Sequence, residues 1–182
     1  MHKVLWLGVV LISGCATTTS RLGLPPLQTV PKVDLQRYLG TWYELASFPQ
    51  SFQKGCTGST ANYSLLPDGD VQVVNRCRLN SLEGEEKVAT GLARVVDKDT
   101  NAKLEVSFFR PFWGDYWVIQ LDPEYRYAVV GHPGRDYLWI LSRTPTVDEA
   151  VYEGIVAGLK ADGYPLDRLV RTLQPVSASS SP

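Results

Sequence analysis

Apolar and polar residues between positions 40 and 143 fall into short runs, separated by clusters of Pro, Gly and Asp. Two of these runs flank Pro67-Asp68-Gly69-Asp70, which is a strong hairpin signal. With the run around Trp42 there are eight candidate strands, and every connection is short enough to join antiparallel neighbours. The other seven runs cover residues 59–66, 71–79, 87–96, 103–110, 116–121, 125–131 and 137–143.

One segment near the C-terminus has helical rather than strand periodicity. Val151, Ile155 and Leu159 recur at four-residue spacing, after a possible capping box over residues 146–149. Gly163 stands where a glycine usually ends a helix. The pattern predicts one amphipathic helix of about four turns, packed against the outside of the sheet.

Eight antiparallel strands leave two unprotected edges unless the sheet closes, and closure gives a barrel that can hold one small ligand. The predicted fold is all-β, an eight-stranded antiparallel up-and-down β-barrel with one C-terminal α-helix packed outside. Residues 166–173 can add a short ninth strand. Alternation leaves the inner face undecided: Ala89, Gly91 and Ala93 share one face, which either leaves room inside or receives the helix.

The N-terminus has the pattern of an export signal. Residues 4–12 are apolar, too few to span a bilayer as a helix but of the length of a signal-peptide core. Ile12-Ser13-Gly14-Cys15 resembles a lipobox, in which Cys15 receives the lipid, and several acyl chains make a stable anchor. Ala16, where an inner-membrane lipoprotein would carry aspartate, favours the outer membrane. An ordinary secretion signal with a chance cysteine is the alternative.

These patterns divide the chain into four parts. Residues 1–14 are predicted to be a lipoprotein signal peptide and residues 15–32, which lack periodicity and contain three prolines, a lipidated N-terminus and tether. Residues 33–175 form the barrel domain. Residues 176–182 are expected to be a disordered tail.

Two cysteines remain beyond the signal, Cys56 and Cys77. An even pair in an exported protein predicts a disulfide. The alternative is a nucleophilic thiol, which would need a nearby histidine; beyond the signal the chain has one, His132, in a turn rich in Gly and Pro.

Composition excludes several classes of function. The formal net charge is −1 without a basic block, so nucleic acid is not expected as a partner. The chain shows no His/Cys cluster and no plausible Ser-His-Asp set, so we expect no metal, no cofactor and no catalytic residues. The five tryptophans and nine tyrosines serve either as ordinary packing or as the lining of a lumen suited to an acyl chain.

Several motifs together resemble the lipocalins. They are Gly40-Thr41-Trp42-Tyr43 in the first strand, Arg143 at the end of the last strand, the eight-strand spacing and the helix that follows. Four longer stretches are similar to the bacterial lipocalins, which are outer-membrane lipoproteins related to apolipoprotein D. These stretches are YELASFPQSFQKG, ANYSLLPDG, VSFFRPFWGDYWVI and RDYLWILSRTPT. The resemblance implies a lipocalin calyx whose closed end is formed by Gly40 and Trp42, with Arg143 packed across the indole.

The resemblance also implies that the loop after the first strand covers the mouth of the cavity. Phe48 and Phe52 are therefore candidates for a lid; alternatively they form a patch for the membrane surface or for a second subunit. The remaining candidates for ligand contact lie on later strands and are Phe108, Tyr116, Tyr137 and Trp139.

The expected function is a carrier of fatty acids or lysophospholipids, held in the outer membrane by its lipid anchor. Assembly as a homodimer stays open. It is not expected to be an enzyme. Two alternatives stay open: a lipid-modifying enzyme on a lipocalin scaffold, and a structural envelope-stress lipoprotein whose pocket is incidental.

Overall fold

A computed structural model describes residues 23–175 of the protein, so the predicted signal peptide, Cys15 and residues 176–182 lie outside the described range. Within that range are two α-helices, α1 (Leu35–Tyr38) and α2 (Glu149–Ala161), neither of which is long and apolar enough to cross a membrane. The nine strands are β1 (Gly40–Ser47), β2 (Cys56–Leu65), β3 (Val71–Leu79), β4 (Glu86–Val95), β5 (Lys103–Phe109), β6 (Phe112–Leu121), β7 (Tyr127–Gly131), β8 (Leu138–Ser142) and β9 (Val170–Arg171).

The sheet closes into the predicted barrel. Strands β2 to β8 pair in chain order, and β1 joins β8 on one side and β2 on the other, all antiparallel. The predicted ninth strand is present but holds only two residues, which pair with the end of β1 beyond its contact with β2. A 3₁₀ helix, Leu166–Arg168, occupies the first part of the segment that was expected to be strand.

The connections alternate between the two ends of the barrel. The end at Trp42, where β1 begins and β8 finishes, is the closed end, and α1 lies across it. The other end is the open end. Four connections meet there, over residues 48–55, 80–85, 110–111 and 132–137.

Helix α2 runs along the outside of the barrel. Its Tyr152, Ile155 and Leu159 are buried against the outward faces of β6, β7 and β8. The helix ends at the open end, where Gly163 has a φ of +79°, as the sequence predicts. Its start differs from the expected capping box: the N-cap is Asp148, and the Thr146 carbonyl accepts a bond from the Thr144 hydroxyl in a turn that precedes the helix.

The structure shows which face of each strand points into the barrel, a question that alternation left open. Ala93 of β4 and Leu141 of β8 belong to the cluster inside the barrel, whereas Leu138 and Ile140 belong to the cluster under α2. The face of β4 that carries Ala89 and Ala93 therefore points inward and presents short side chains to the lumen.

The second half of the predicted tether contacts the barrel. Leu27 is buried under α2, the Val30 amide donates to the Val118 carbonyl at 3.0 Å, and the Val33 amide donates to the Thr100 carbonyl at 2.7 Å. The segment lacks periodicity because it follows the barrel surface as extended chain. Residues 25–33 are thus part of the folded domain, which corrects the tether boundary.

Candidate functional site

The closed end of the barrel is sealed by Trp42 and Arg143. The indole is fully buried, and the guanidinium carbon of Arg143 lies 3.7 Å from its ring centroid. Arg143 also donates to the carbonyls of Thr41 at 2.9 Å and Arg37 at 2.6 Å, so the cation is held by hydrogen bonds as well as by the ring. Gly40 has a φ of +89°, a backbone angle that residues with a side chain rarely adopt. This geometry is the one that the lipocalin resemblance implies.

Three tyrosines, which we call the tyrosine floor, lie directly above the sealed end. The Tyr116 hydroxyl is 2.8 Å from that of Tyr38 and 2.9 Å from that of Tyr63. Burial raises the pKa of Tyr63 to about 12 and raises the pKa values of Tyr38 and Tyr116 well above their usual value. All three are therefore neutral at physiological pH. The three hydroxyl groups carry three protons and form two hydrogen bonds with one another. One proton therefore remains for donation to another acceptor.

The closed half of the lumen is almost filled by side chains. A cavity of about 20 Å³ remains there, walled by apolar surface from residues that include Val33, Tyr63, Tyr116 and Val118. Such a space is about the size of one water molecule. Any larger ligand must lie between the tyrosine floor and the open end.

The wall of this open half is formed largely by small and aromatic side chains. Ala89 and Gly91 face inward from β4, opposite Asn75 and Val73 of β3. A Cβ placed on Gly91 would lie 2.8 Å from the ring of Phe108, so this phenylalanine packs against bare backbone. The Asn75 side-chain oxygen is buried without a partner among the described residues, which leaves one acceptor on the inner face.

Trp139 forms the opposite part of the wall. It packs against the interior cluster and is stacked on Tyr137, with ring centroids 6.0 Å apart and planes 18° apart. Its indole nitrogen donates to the side-chain oxygen of Gln53 at 3.0 Å. Gln53 belongs to a 3₁₀ helix, Ser51–Gln53, in the loop after β1, so this loop is tied directly to the lumen wall.

A buried carboxylate anchors the same loop. Glu44 accepts hydrogen bonds from the Gln53 amide at 2.8 Å, the Ser47 hydroxyl at 3.0 Å and the Thr172 hydroxyl at 2.5 Å. These donors satisfy a charge that would otherwise be costly to bury. The carboxylate positions Gln53, and through it Trp139. Glu44 is not among the residues predicted from the sequence, although alternation from Trp42 places it inside the barrel.

The loop also reaches the far side of the mouth. Lys87 faces inward at the start of β4, and its ammonium group donates to the Phe52 carbonyl at 2.7 Å. Phe52 thus lies in a segment that crosses the open end, with its ring largely exposed to solvent. Tyr116, by contrast, contributes to the floor and not to the mouth.

Phe48 is not part of the lumen, which corrects the expectation of a lid built from both phenylalanines. Its side chain is fully buried on the outside of the barrel, 6.0 Å from the Tyr164 ring and beneath the Arg168 guanidinium. The cause is a β-bulge between Glu44 and Ala46, which turns the residues after it to the opposite face.

The predicted disulfide between Cys56 and Cys77 is confirmed, with the two Cα atoms 5.4 Å apart. It joins the open ends of β2 and β3, the first two strands after the mouth loop. Cys77 is buried on the inward face of β3. Both sulfurs are used in the bond, so no free thiol remains among residues 23–175.

Comparison with known proteins gives consistent matches. Residues 33–174 match the family model described as "Lipocalin-like domain". The chain is 42% identical over 167 residues to outer membrane lipoprotein Blc of Escherichia coli (strain K12), covering 92% of each chain. It is 33% identical over 160 residues to apolipoprotein D of Mus musculus, covering 82% of this chain and 80% of that one.

Among solved structures, insecticyanin from the tobacco hornworm Manduca sexta superposes with a TM-score of 0.66, covering 84% of this chain and 87% of that one. At 18% identity this likeness shows the fold alone. The likeness to outer membrane lipoproteins confirms the predicted localisation, the outer membrane with a lipid anchor. Fold, sealed barrel end and sequence agree, and the chain belongs to the lipocalin family.

Proposed function

We propose that the protein is a membrane-anchored carrier that binds a fatty acid or a lysophospholipid in the open half of the barrel. The observation that carries this proposal is the wall above the tyrosine floor. Trp139 and Phe108 remain partly exposed there, beside the short side chains of Ala89 and Gly91. Apolar surface in a concave site gains free energy when a ligand covers it.

The size of the cavity beneath the tyrosine floor limits how deeply an acyl chain can enter the barrel. The chain would end at the tyrosine floor, because the space beneath it is only about 20 Å³. Its polar group would lie at the mouth, where Lys87 offers a cation and Gln53 an amide. A carboxylate or a phosphate suits the charge of Lys87.

The test uses the mature chain from residue 15 with Cys15→Ser, which keeps acyl groups off the protein. Lipids that copurify are extracted and identified by mass spectrometry, and tryptophan fluorescence is titrated with fatty acids of graded length and with lysophospholipids. We expect bound lipid and a saturable signal. No bound lipid and no titration at any chain length would refute the carrier proposal.

We expect Trp139→Phe to remove most of the fluorescence response, because this indole lines the lumen. The matched control is Trp113→Phe. Trp113 lies on the outward face of β6 under the Arg94 guanidinium, 4.2 Å from its ring centroid, so its loss should leave the response unchanged. Equal effects of the two substitutions would place the ligand elsewhere.

A structural envelope lipoprotein is the second candidate, and the nearly filled closed half of the lumen favours it. The same titration separates the two functions. A structural protein gives no saturable response, although its barrel and disulfide are intact.

A further inference from the structure

Four phenylalanines are exposed at the open end, and we call them the mouth phenylalanines. Phe52 is 55% exposed, Phe108 43%, Phe109 76% and Phe112 70%. Phe109 and Phe112 flank the β5–β6 turn with their rings stacked 6.3 Å apart. Ligand binding inside the barrel does not explain rings as exposed as the last two. Clustered exposed apolar side chains of this size indicate a contact surface.

Cations accompany these rings. Lys54 lies two residues after Phe52, and Arg110 lies between Phe109 and Phe112. The Lys87 ammonium group donates to the Phe52 carbonyl. Within residues 23–175, none of the three cations has a carboxylate within 4.0 Å. Three acidic residues on the connections of this end have no cation within 4.0 Å among the described residues, and they lie on two other loops: Glu83 and Glu85 between β3 and β4, and Asp136 between β7 and β8. Aromatic and basic residues together are typical of protein surfaces that bind anionic lipid.

The first residues that the structure describes also lie at the open end of the barrel. Leu24 packs against Gly163 at the end of α2, and the Pro25 carbonyl accepts a bond from Arg135 at 2.9 Å. Arg135 lies in the open-end connection between β7 and β8, is almost fully buried, and also donates to the Asp162 carbonyl at 2.6 Å. The start of the folded domain is therefore fixed beside the mouth.

The length of chain before this point limits the orientation of the barrel. The roughly eight residues from Cys15 to Gly23 reach at most about 29 Å when fully extended. A strand of ten residues such as β2 is itself about 33 Å long. An anchor at Cys15 reaches the lipid surface easily when the open end faces it. If the closed end faced the membrane, the same segment would have to run almost the whole length of the barrel.

We propose that the open end of the barrel rests on the membrane, with Phe52, Phe109 and Phe112 among the lipid head groups and Lys54 and Arg110 beside their phosphates. Lipid would then enter the lumen without crossing open water. The membrane contact itself does not require the carrier function, and it can be tested separately.

The first test measures binding to vesicles of phosphatidylethanolamine and phosphatidylglycerol by the unlipidated mature chain with Cys15→Ser. We expect Phe109→Ser with Phe112→Ser to reduce binding at least tenfold. The matched control replaces Leu65 and Val96 by Ser; these residues are 43% and 49% exposed but lie toward the closed end. An unchanged melting temperature shows that each variant is folded. Failure of the parent chain to bind, or equal losses in both variants, would overturn the proposal.

The second test measures orientation in the lipidated chain. A fluorophore is attached through Ser51→Cys in the mouth loop or through Asp68→Cys in the closed-end turn, and quenching by nitroxide-labelled lipid is compared. We expect strong quenching at position 51 and little at position 68. Equal quenching, or stronger quenching at position 68, would overturn the proposed orientation. Because the second test reads position and not lipid binding inside the barrel, it remains informative if the carrier proposal fails.

Discussion

Tyr116 is the central member of the hydrogen-bond chain in the tyrosine floor. Replacing it by Phe leaves the hydroxyls of Tyr38 and Tyr63 without their shared partner in a buried, apolar place. We expect Tyr116→Phe to lower the free energy of unfolding by about 1–3 kcal/mol, the usual cost of buried unpaired polar groups. Tyr63→Phe is the control, since it leaves the Tyr38–Tyr116 bond intact and should cost less. Urea unfolding measures both, and equal losses would contradict a chain centred on Tyr116.

The raised pKa of Tyr63 makes stability depend on alkaline pH. The folded chain keeps this proton up to a pKa of about 12, whereas the unfolded tyrosine loses it near 10. Between these values the folded state binds more protons, so the contribution of Tyr63 is fully present below pH 10 and is lost as pH rises toward 12. Urea unfolding across this range should show a shallower decline for Tyr63→Phe than for the parent chain. Parallel declines would show that Tyr63 is not the responsible group.

At the level of single residues, the sequence predicts only part of the site. Alternation along a regular strand predicts that the Trp139 side chain points inward, and in the structure it packs against the interior cluster. The outward orientation of Phe48 could not be predicted in this way. The bulge at Leu45 exchanges the inward and outward positions of the residues after it, and alternation alone cannot locate a bulge. Glu44 was within reach of the same argument but was missed, since a charged residue is not expected in a lumen.

Among the elements, those with clear local signals were predicted best. The β2–β3 hairpin and the end of α2 are marked by turn residues and by Gly163, and both are present. Helix α1 was missed because four residues cannot show helical periodicity, although Asp34 caps it by accepting bonds from the amides of Gln36 and Arg37. The start of α2 was placed too early because residues 146–149 imitate a capping box.

The disulfide is an element-scale constraint on the β2–β3 hairpin. Its sequence separation of 21 residues corresponds to about 3 kcal/mol of stabilisation in the chain-entropy model. We expect Cys56→Ser with Cys77→Ser to lower the free energy of unfolding by about this amount while lipid titration is retained at low temperature. Denaturation of the parent chain under reducing conditions should reproduce the loss. Abolished titration in a folded variant would instead indicate a direct role of the sulfurs at the site.

For the whole molecule, closure of the barrel was predictable because closing the sheet is the simplest way for eight similar strands with short connections to pair both edges. The division between tether and domain was not, because residues 25–33 fold by contact with the finished barrel and carry no pattern of their own. The volume of the lumen also depends on how all strands meet, and sequence alone does not give it.

The capacity of the lumen gives a prediction at this scale. Ala89→Leu adds bulk to the open half, where its position faces inward, and we expect lipid binding at least tenfold weaker with little change in melting temperature. The control is Thr90→Leu, one residue along β4 on the outward, exposed face. Fluorescence titration measures both variants. Unchanged affinity in Ala89→Leu would mean that the ligand does not reach β4.

The bonds of Arg135 have a mechanical consequence. Among the described residues, a force that the membrane exerts through the anchor first meets Leu24, which packs against the end of α2, and Pro25, whose carbonyl accepts a hydrogen bond from Arg135, as does the Asp162 carbonyl. The pull must first break these hydrogen bonds and then detach residues 27–33. That segment contacts the barrel through the buried side chains of Leu27 and Val33, through two backbone hydrogen bonds, and through a bond from the Asn101 side chain to the Val33 carbonyl. Only afterwards does tension reach α1 and the seal at Trp42. The protein can therefore yield in steps at its margin, and the contact of Val33, which walls the small closed-end cavity, is the last to be lost before the closed end itself is stretched.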